Sequence, residues 1–246
     1  MKEYNIYATL LDTFQNYLDS DKIYNRYWGN SENPPHTPKE FEMLQYQAVI
    51  DRINRVPFDS DAADRGACFN EVIDMINGQS SGKISISGGE DTLGTMYNNK
   101  TFVFRLNDIQ IAANRYKDAM AQVYCEGYLE FDDYKIKLYG YIDELFSDKI
   151  VDIKTAGRAP EAFGFINHWQ HRVYPFCVGQ MGSEVDAFEY HHYTLNDKHK
   201  VTSFMVESYP IDQRKIRAEL INICALFTQF IEYNLDKITD KKILNL

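Results

Sequence analysis

The alternation of apolar and polar residues is clearest between residues 134 and 155. Residues 134–145 alternate with period two and are rich in Ile, Leu and Tyr, which predicts a strand. Phe146, Ser147, Asp148 and Lys149 supply a turn, and residues 150–155 predict the returning strand. A four-residue connection gives an odd-sum register, which sets Asp143 opposite Ile150 or Asp152. Side chains alternate along a strand, so Asp152 and Lys154 share a face. In that register Asp143 joins them, while Ile142, Val151 and Ile153 point the other way into a core. Two carboxylates and one ammonium are therefore expected together on one sheet surface.

Helical spacing follows. Gly157, Arg158, Ala159 and Pro160 punctuate the chain, and residues 161–181 then place Phe163, Ile166, Gln170, Tyr174, Cys177 and Val178 on one stripe. Gln170 sits mid-stripe, where a buried amide needs hydrogen-bond partners, while Arg172 falls on the opposite, solvated face. Earlier in the chain, residues 4–18 predict a helix and residues 30–38 a loop. Thr37, Pro38 and Glu40 predict a capping box for a helix to about Arg55. Residues 64–77 predict another helix, closed by Gly78. Short strands are expected at 83–87 and 101–105, a helix at 107–122, and a strand at 123–131 that turns through Asp132 and Asp133. Two more strands, at 187–195 and 201–209, precede a helix opened by Pro210 and running to about Leu235; the last ten residues are expected to fray.

Composition narrows the chemistry. The 246 residues carry 44% hydrophobic and 25% charged side chains, as an ordinary soluble globular chain does, and 18 Tyr with 15 Phe predict an aromatic-rich core. No apolar run is long enough to span a bilayer and the N-terminus lacks a signal-peptide pattern, so a cytoplasmic location is expected. A net charge of −10 argues against broad electrostatic coating of nucleic acid, though a local basic groove is compatible with it. Cys68, Cys125, Cys177 and Cys224 are scattered singly, so buried thiols are expected and a zinc or iron–sulfur site is not. His191 and His192 are neighbours on a strand and face opposite ways, so they cannot chelate together; His168 and His171 are expected at the surface.

Gly140 and Asp143 on one strand, Asp152 and Lys154 on the next, and Gln170 and Tyr174 on a helix resemble the PD-(D/E)xK nuclease superfamily. The nearest branch is the RecB-type, phage exonuclease-like group. The DxK tripeptide alone is common by chance; three pieces in this order carry the likeness. The resemblance covers residues 64–195, with residues 1–60 a helical embellishment similar in kind only. It implies an α/β fold: a restriction-endonuclease-like core with a central mixed β-sheet flanked by helices, extra helices at both ends (210–236 at the C-terminus), and one nuclease domain over 1–246. It also implies Mg2+ or Mn2+ held by Asp143, Asp152, the Ile153 carbonyl and Glu71, with Lys154 positioning water or charge. Gln170 and Tyr174 would steady the substrate backbone or the Lys–carboxylate network.

The first-helix motif of the family begins Arg-Gly and continues to a His; here Arg65 and Gly66 match and Asn70 replaces the His. Asn70 and Arg158 are taken as substrate contacts, Glu71 is favoured as the oxygen ligand, and which of Asn70 and Glu71 faces the metal is left open. The implied activity is a metal-dependent deoxyribonuclease, an exonuclease of phage recombination or DNA repair, with DNA and an annealing protein or helicase as partners. The alternatives are a catalytically silent nucleic-acid-binding scaffold and a hydrolase of another phosphoester. Taken singly, Asp152 and Lys154 also read as a surface ion pair, Asp143 as a turn residue and Tyr174 as core filling.

Overall fold

The chain opens on a strand, β1 (Lys2–Tyr7), where a helix over residues 4–18 is expected. Only α1 (Ala8–Leu18) is helical in that stretch. Tyr4 and Ile6 are buried at period two because β1 runs parallel to the later strand β6 (Tyr134–Leu145), from Lys2 opposite Tyr134 to Tyr7 opposite Tyr139. This computed structural model describes residues 1–79, 82–161 and 163–245. Ala162, inside the helix expected over 161–181, and Leu246, inside the frayed end, lie outside the described residues.

After α1 come α2 (Ser20–Trp28), α3 (Pro38–Ile53) and α4 (Asp61–Ile76). Thr37 caps α3 as its sequence predicts: its hydroxyl accepts from the Glu40 N–H while the Glu40 carboxylate accepts from the Thr37 N–H at 2.7 Å. Thr37→Ala is expected to cost about 1 kcal/mol in urea unfolding; an unchanged midpoint would show that packing alone sets the start of α3.

A small antiparallel sheet follows: β2 (Ser85–Gly88), β3 (Thr92–Tyr97) and β4 (Lys100–Arg105), with β3 in the middle. Beyond α5 (Leu106–Tyr116), which stops short of the expected residue 122, lie β5 (Met120–Phe131), β6 and β7 (Lys149–Ala156). Then come α6 (Gln170–Gln180), β8 (Ala187–Leu195), β9 (Val201–Pro210) and α7 (Gln213–Tyr233), capped by Asp212 rather than opened by Pro210. The fold is mixed α/β. Its central sheet runs β1-β6-β7-β8-β9, with β5 also on β6; β1–β6 and β7–β8 are parallel and the remaining pairs antiparallel.

Two apolar cores lie on this frame. The larger joins α1, α3, α6 and α7 to one face of the sheet through Leu11, Phe14, Leu138, Phe188 and Phe227. The smaller packs α4, α5 and the small sheet on the other face through Phe69, Phe104, Tyr116, Val151 and Tyr193. No helix among the described residues is long and apolar enough to cross a membrane. All four cysteines are buried free thiols, as expected.

The helix after β7 begins nine residues later than its stripe predicts. Phe163 adopts φ 58°, which a right-handed helix cannot contain, and residues 163–167 form turns. Gln170 is therefore the first residue of α6, not its middle. Arg172 is not solvated: it stacks on the Trp169 ring at 4.9 Å and pairs with Glu219 at 2.5 Å.

Candidate active site

The site forms where β6 exchanges one neighbour for another. Residues 134–139 of β6 pair with β1, whereas its pairing with β7 is confined to Glu144 with Val151 and Leu145 with Ile150. Between these stretches lie Gly140, Tyr141, Ile142 and Asp143, where β6 and β7 splay. A splayed strand leaves backbone groups without ladder partners. Asp143 meets that need: its Oδ2 accepts the Ile153 N–H at 2.8 Å and the Asn70 side-chain amide of α4 at 3.4 Å.

Alternation along β6 also breaks here. Ile136, Leu138 and Ile142 face the larger core, whereas Glu144 interacts with Asp74 of α4; across the ladder, Gln122 has φ 52°. Ile142 consequently does not share a face with Val151 and Ile153, contrary to the simple period-two expectation. The same break turns Asp143 into the gap beside β7.

Asp152 and Lys154 do share a face. Lys154 Nζ lies 2.7 Å from Asp152 Oδ2 and donates to Gln170 Oε1 at 2.7 Å, and the Gln170 amide in turn donates to Asp152 Oδ1. Lys, Asp and Gln thus close a ring of charge-assisted hydrogen bonds joining β7 to the first residue of α6. Beneath it, Tyr174 packs on Gly140. A Cβ at position 140 would lie 2.6 Å from Tyr174 Cε1, so only glycine lets the ring approach β6.

Two contributors were not visible in the sequence pattern. Asp12 of α1 accepts the Trp169 N–H at 2.6 Å and lies 3.3 Å from His168 Nδ1, and its charge reaches Asp152 and Lys154. It anchors the start of α6, where Gln170 sits. Its signal is a single acid beside the apolar positions Leu10, Leu11 and Phe14. Tyr190 of β8 stands directly opposite Asp152, with its ring centroid 5.8 Å from Lys154 Nζ.

The remaining candidates separate. Asn70, not Glu71, makes the contact with Asp143. Glu71 is buried, not solvent-facing, and acts on Asp74, Cys68 and Tyr97. Arg158 is exposed on the turn beyond β7. The histidines expected at the surface divide: His168 is partly exposed, while His171 is buried with Nδ1 3.1 Å from the Tyr190 hydroxyl.

Burial governs the electrostatics. It raises the Asp143 carboxyl to about 7, with the Asp152 charge adding to the rise and Lys154 opposing it. Burial also raises Asp152, against the pull of Lys154. For Lys154, burial works against the charge, but Asp152 and Asp143 outweigh it and hold the ammonium protonated. On the α4 side, burial lifts Asp74 to about 6 and Glu144 to about 9, each reinforced by a neighbouring carboxylate.

These acids make stability pH-dependent. A carboxyl with a raised folded pKa binds its proton more tightly folded than unfolded, so its contribution is complete in acid and lost as pH rises through the folded value. His171, which burial pushes down to about 3, acts in the opposite sense but only below its ordinary value near 6.5. The loss begins near the ordinary carboxylate value of about 4 and is partly offset by His171 up to about 6.5, so the thermal midpoint is expected to fall most clearly from there to about pH 9, where Glu144 ionises. Glu144→Gln should flatten that fall; a level profile in the unmodified chain would contradict the assignment.

The donor set suits a hard cation. Asp143 and Asp152 offer carboxylate oxygens, and Asn70 Oδ1 is buried without a hydrogen-bond partner. An orphaned buried oxygen beside Asp143, an acid whose ionisation burial opposes, is the environment that a divalent ion relieves. Among the described residues, however, no three His, Cys, Asp or Glu side chains stand arranged as a ready metal cage. Asp152 is instead engaged by Lys154 and Gln170.

No protein-family model matches this chain, and no curated protein matches it. Among solved structures it is similar to SSO0001, at a TM-score of 0.38 and 10% identity over 92% of this chain and 77% of that one. It is also similar to Rai1 of Scheffersomyces stipitis, solved with 3′-NADP+ and a calcium ion, at a TM-score of 0.28 and 12% identity over 97% and 61%. Both likenesses are too distant to transfer fold or chemistry.

Proposed function

We propose that the chain is a metal-dependent deoxyribonuclease built on a restriction-endonuclease-like core, of the PD-(D/E)xK type and its exonuclease-like branch. One observation carries this reading. Asp143, Asp152 and Lys154, which come from two strands, meet at the fork between β6 and β7, with Gln170 closing the group.

The residues divide the work by their chemistry. A phosphodiester is already negative and resists an incoming water. Mg2+ or Mn2+ bound by Asp143 and Asp152, with the Asn70 amide and the Ile153 carbonyl as further oxygen donors, would offset that charge and acidify the attacking water. Lys154 keeps its proton, so it serves as a fixed positive charge for a phosphate oxygen and not as a general base. Gln170 holds Lys154 and Asp152 at their separation, and Tyr174 seats the first turn of α6 against β6. Arg158, exposed beyond β7, is available to a substrate phosphate.

A catalytically silent nucleic-acid-binding protein is the second reading. It is favoured by the amide at position 70 and by the pairing of Asp152 with Lys154. End-labelled linear and circular DNA incubated with Mg2+, Mn2+ or EDTA separates the two. The nuclease reading expects cleavage with either metal and none in EDTA; intact DNA under all three conditions would favour the silent binder.

A further inference from the structure

The helices that cover both faces of β7 and β8 leave part of the sheet bare. Lys135, Lys137, Tyr139 and Tyr141 alternate with the core residues Ile136 and Leu138, so they share the outer face of β6 and lead up to Asp143. At the strand rise, Lys135 to Asp143 spans roughly 26 Å. Directly across the ladder, Tyr124 of β5 faces Tyr141 with ring centroids 5.3 Å apart, and Tyr128 faces Lys137. Tyr141 is 60% exposed, Tyr128 40% and Tyr124 39%, high values for rings of this size.

This face holds a hollow of about 490 Å³ whose cations are Arg55, Lys137 and Lys242 and whose rings are Tyr124, Tyr139 and Tyr141. Among the described residues no acidic side chain lines the hollow itself, on a chain of net charge −10. Glu126, directly opposite Tyr139, holds Lys137 at 2.6 Å and accepts from the Tyr124 and Tyr128 hydroxyls, and Asp240 holds Arg55 at 2.8 Å. The Arg55 guanidinium also donates to the Tyr139 hydroxyl at 3.0 Å, which fixes that ring.

Positioned rings beside cations are what unpaired bases and their phosphates require, with the phosphates taking the place of the acids that now hold Lys137 and Arg55. Bases stack on aromatic faces whatever their identity, while phosphates seek the ammonium and guanidinium groups. A duplex offers no base faces to such a surface. We propose that the open face of β5 and β6 is a platform for single-stranded DNA that leads one strand along β6 toward Asp143. The proposal deepens the nuclease reading by naming a single strand as the substrate class. It rests on that reading for where the strand goes, but not for the binding itself.

The test is the anisotropy of fluorescein-labelled oligo(dT) in EDTA, so that no cleavage is involved, with a duplex of equal length for comparison. Oligo(dT) is expected to bind more tightly than the duplex. Tyr141→Ala should bind oligo(dT) about tenfold more weakly, equivalent to about 1.4 kcal/mol, and Tyr141→Phe should restore binding because the ring remains. Lys137→Ala should reduce the slope of log affinity against log salt by about 0.7. Tyr233→Ala, a tyrosine 85% exposed on α7, should bind as the unmodified chain does. Circular dichroism checks that each variant is folded.

Equal affinity for Tyr141→Ala and the unmodified chain would overturn the platform, even if the protein cuts DNA. Self-association lost in Tyr141→Ala without any change in DNA affinity would overturn it too, marking the face as a contact between copies. Failure of the nuclease reading looks different: DNA stays intact in Mg2+ while the Tyr141 effect on binding persists.

Discussion

Asp152→Asn is expected to lower metal-dependent DNA cleavage about a thousandfold or more while the protein stays folded. The substitution keeps the shape of the side chain and still accepts from the Gln170 amide, but removes the charge that pairs with Lys154 and would bind a cation. Lys154→Ala is expected to have a loss of similar size for a different reason, since it removes the positive charge nearest the phosphate. The double variant should be little worse than either single one, because residues that act as a unit do not lose activity additively. Rates on end-labelled DNA in Mg2+, with thermal midpoints measured in parallel, check this. Cleavage that survives both substitutions would assign the activity to another site.

Gly140→Ala should produce the largest structural effect of any single methyl group near the site. The added carbon would meet Tyr174 Cε1 at 2.6 Å and its hydroxyl at 3.2 Å, so the ring has to move. Overpacking of this kind costs about 1–3 kcal/mol. Tyr174 is the fifth residue of α6 and Gln170 the first, so displacing the ring also shifts the amide that holds Lys154. Cleavage is therefore expected to fall together with stability. Pairing the change with Tyr174→Leu should return part of the stability, a coupling of about 1 kcal/mol or more in a double-mutant cycle read by urea unfolding. Strictly additive losses would mean that the glycine is there for backbone reasons and not for the ring.

What the sequence revealed and what it hid follow from the range of the interactions. β6 was legible because one face is buried, which writes period two into Ile136 and Leu138, whereas β7, buried on both faces, reads as the short apolar run of Ile150, Val151 and Ile153. Asp152 and Lys154 were legible as a pair because side chains alternate along a strand. The strand β1 was not: Ile6 continues into the helical spacing of Leu10, Leu11 and Phe14, and only its pairing with β6 makes Tyr4 and Ile6 a strand. The late start of α6 depends on the left-handed backbone at Phe163 and on Asp12 bonding Trp169 from far away in the chain. The strand β3, interrupted by Gly94, takes its shape from β2 and β4 on either side. Asp12 and Tyr190 join the site through tertiary packing alone, so no local spacing could announce them.

The most direct test is a titration of the purified protein with Mn2+, followed by calorimetry, since it requires no knowledge of the substrate. One site is expected in the unmodified chain, lost or strongly weakened in Asp143→Asn and Asp152→Asn and retained in Glu189→Gln, whose carboxylate pairs with Lys149 away from the fork. Mn2+ binding of the same strength and stoichiometry in all four proteins would show that the acids at the splayed strands hold no cation.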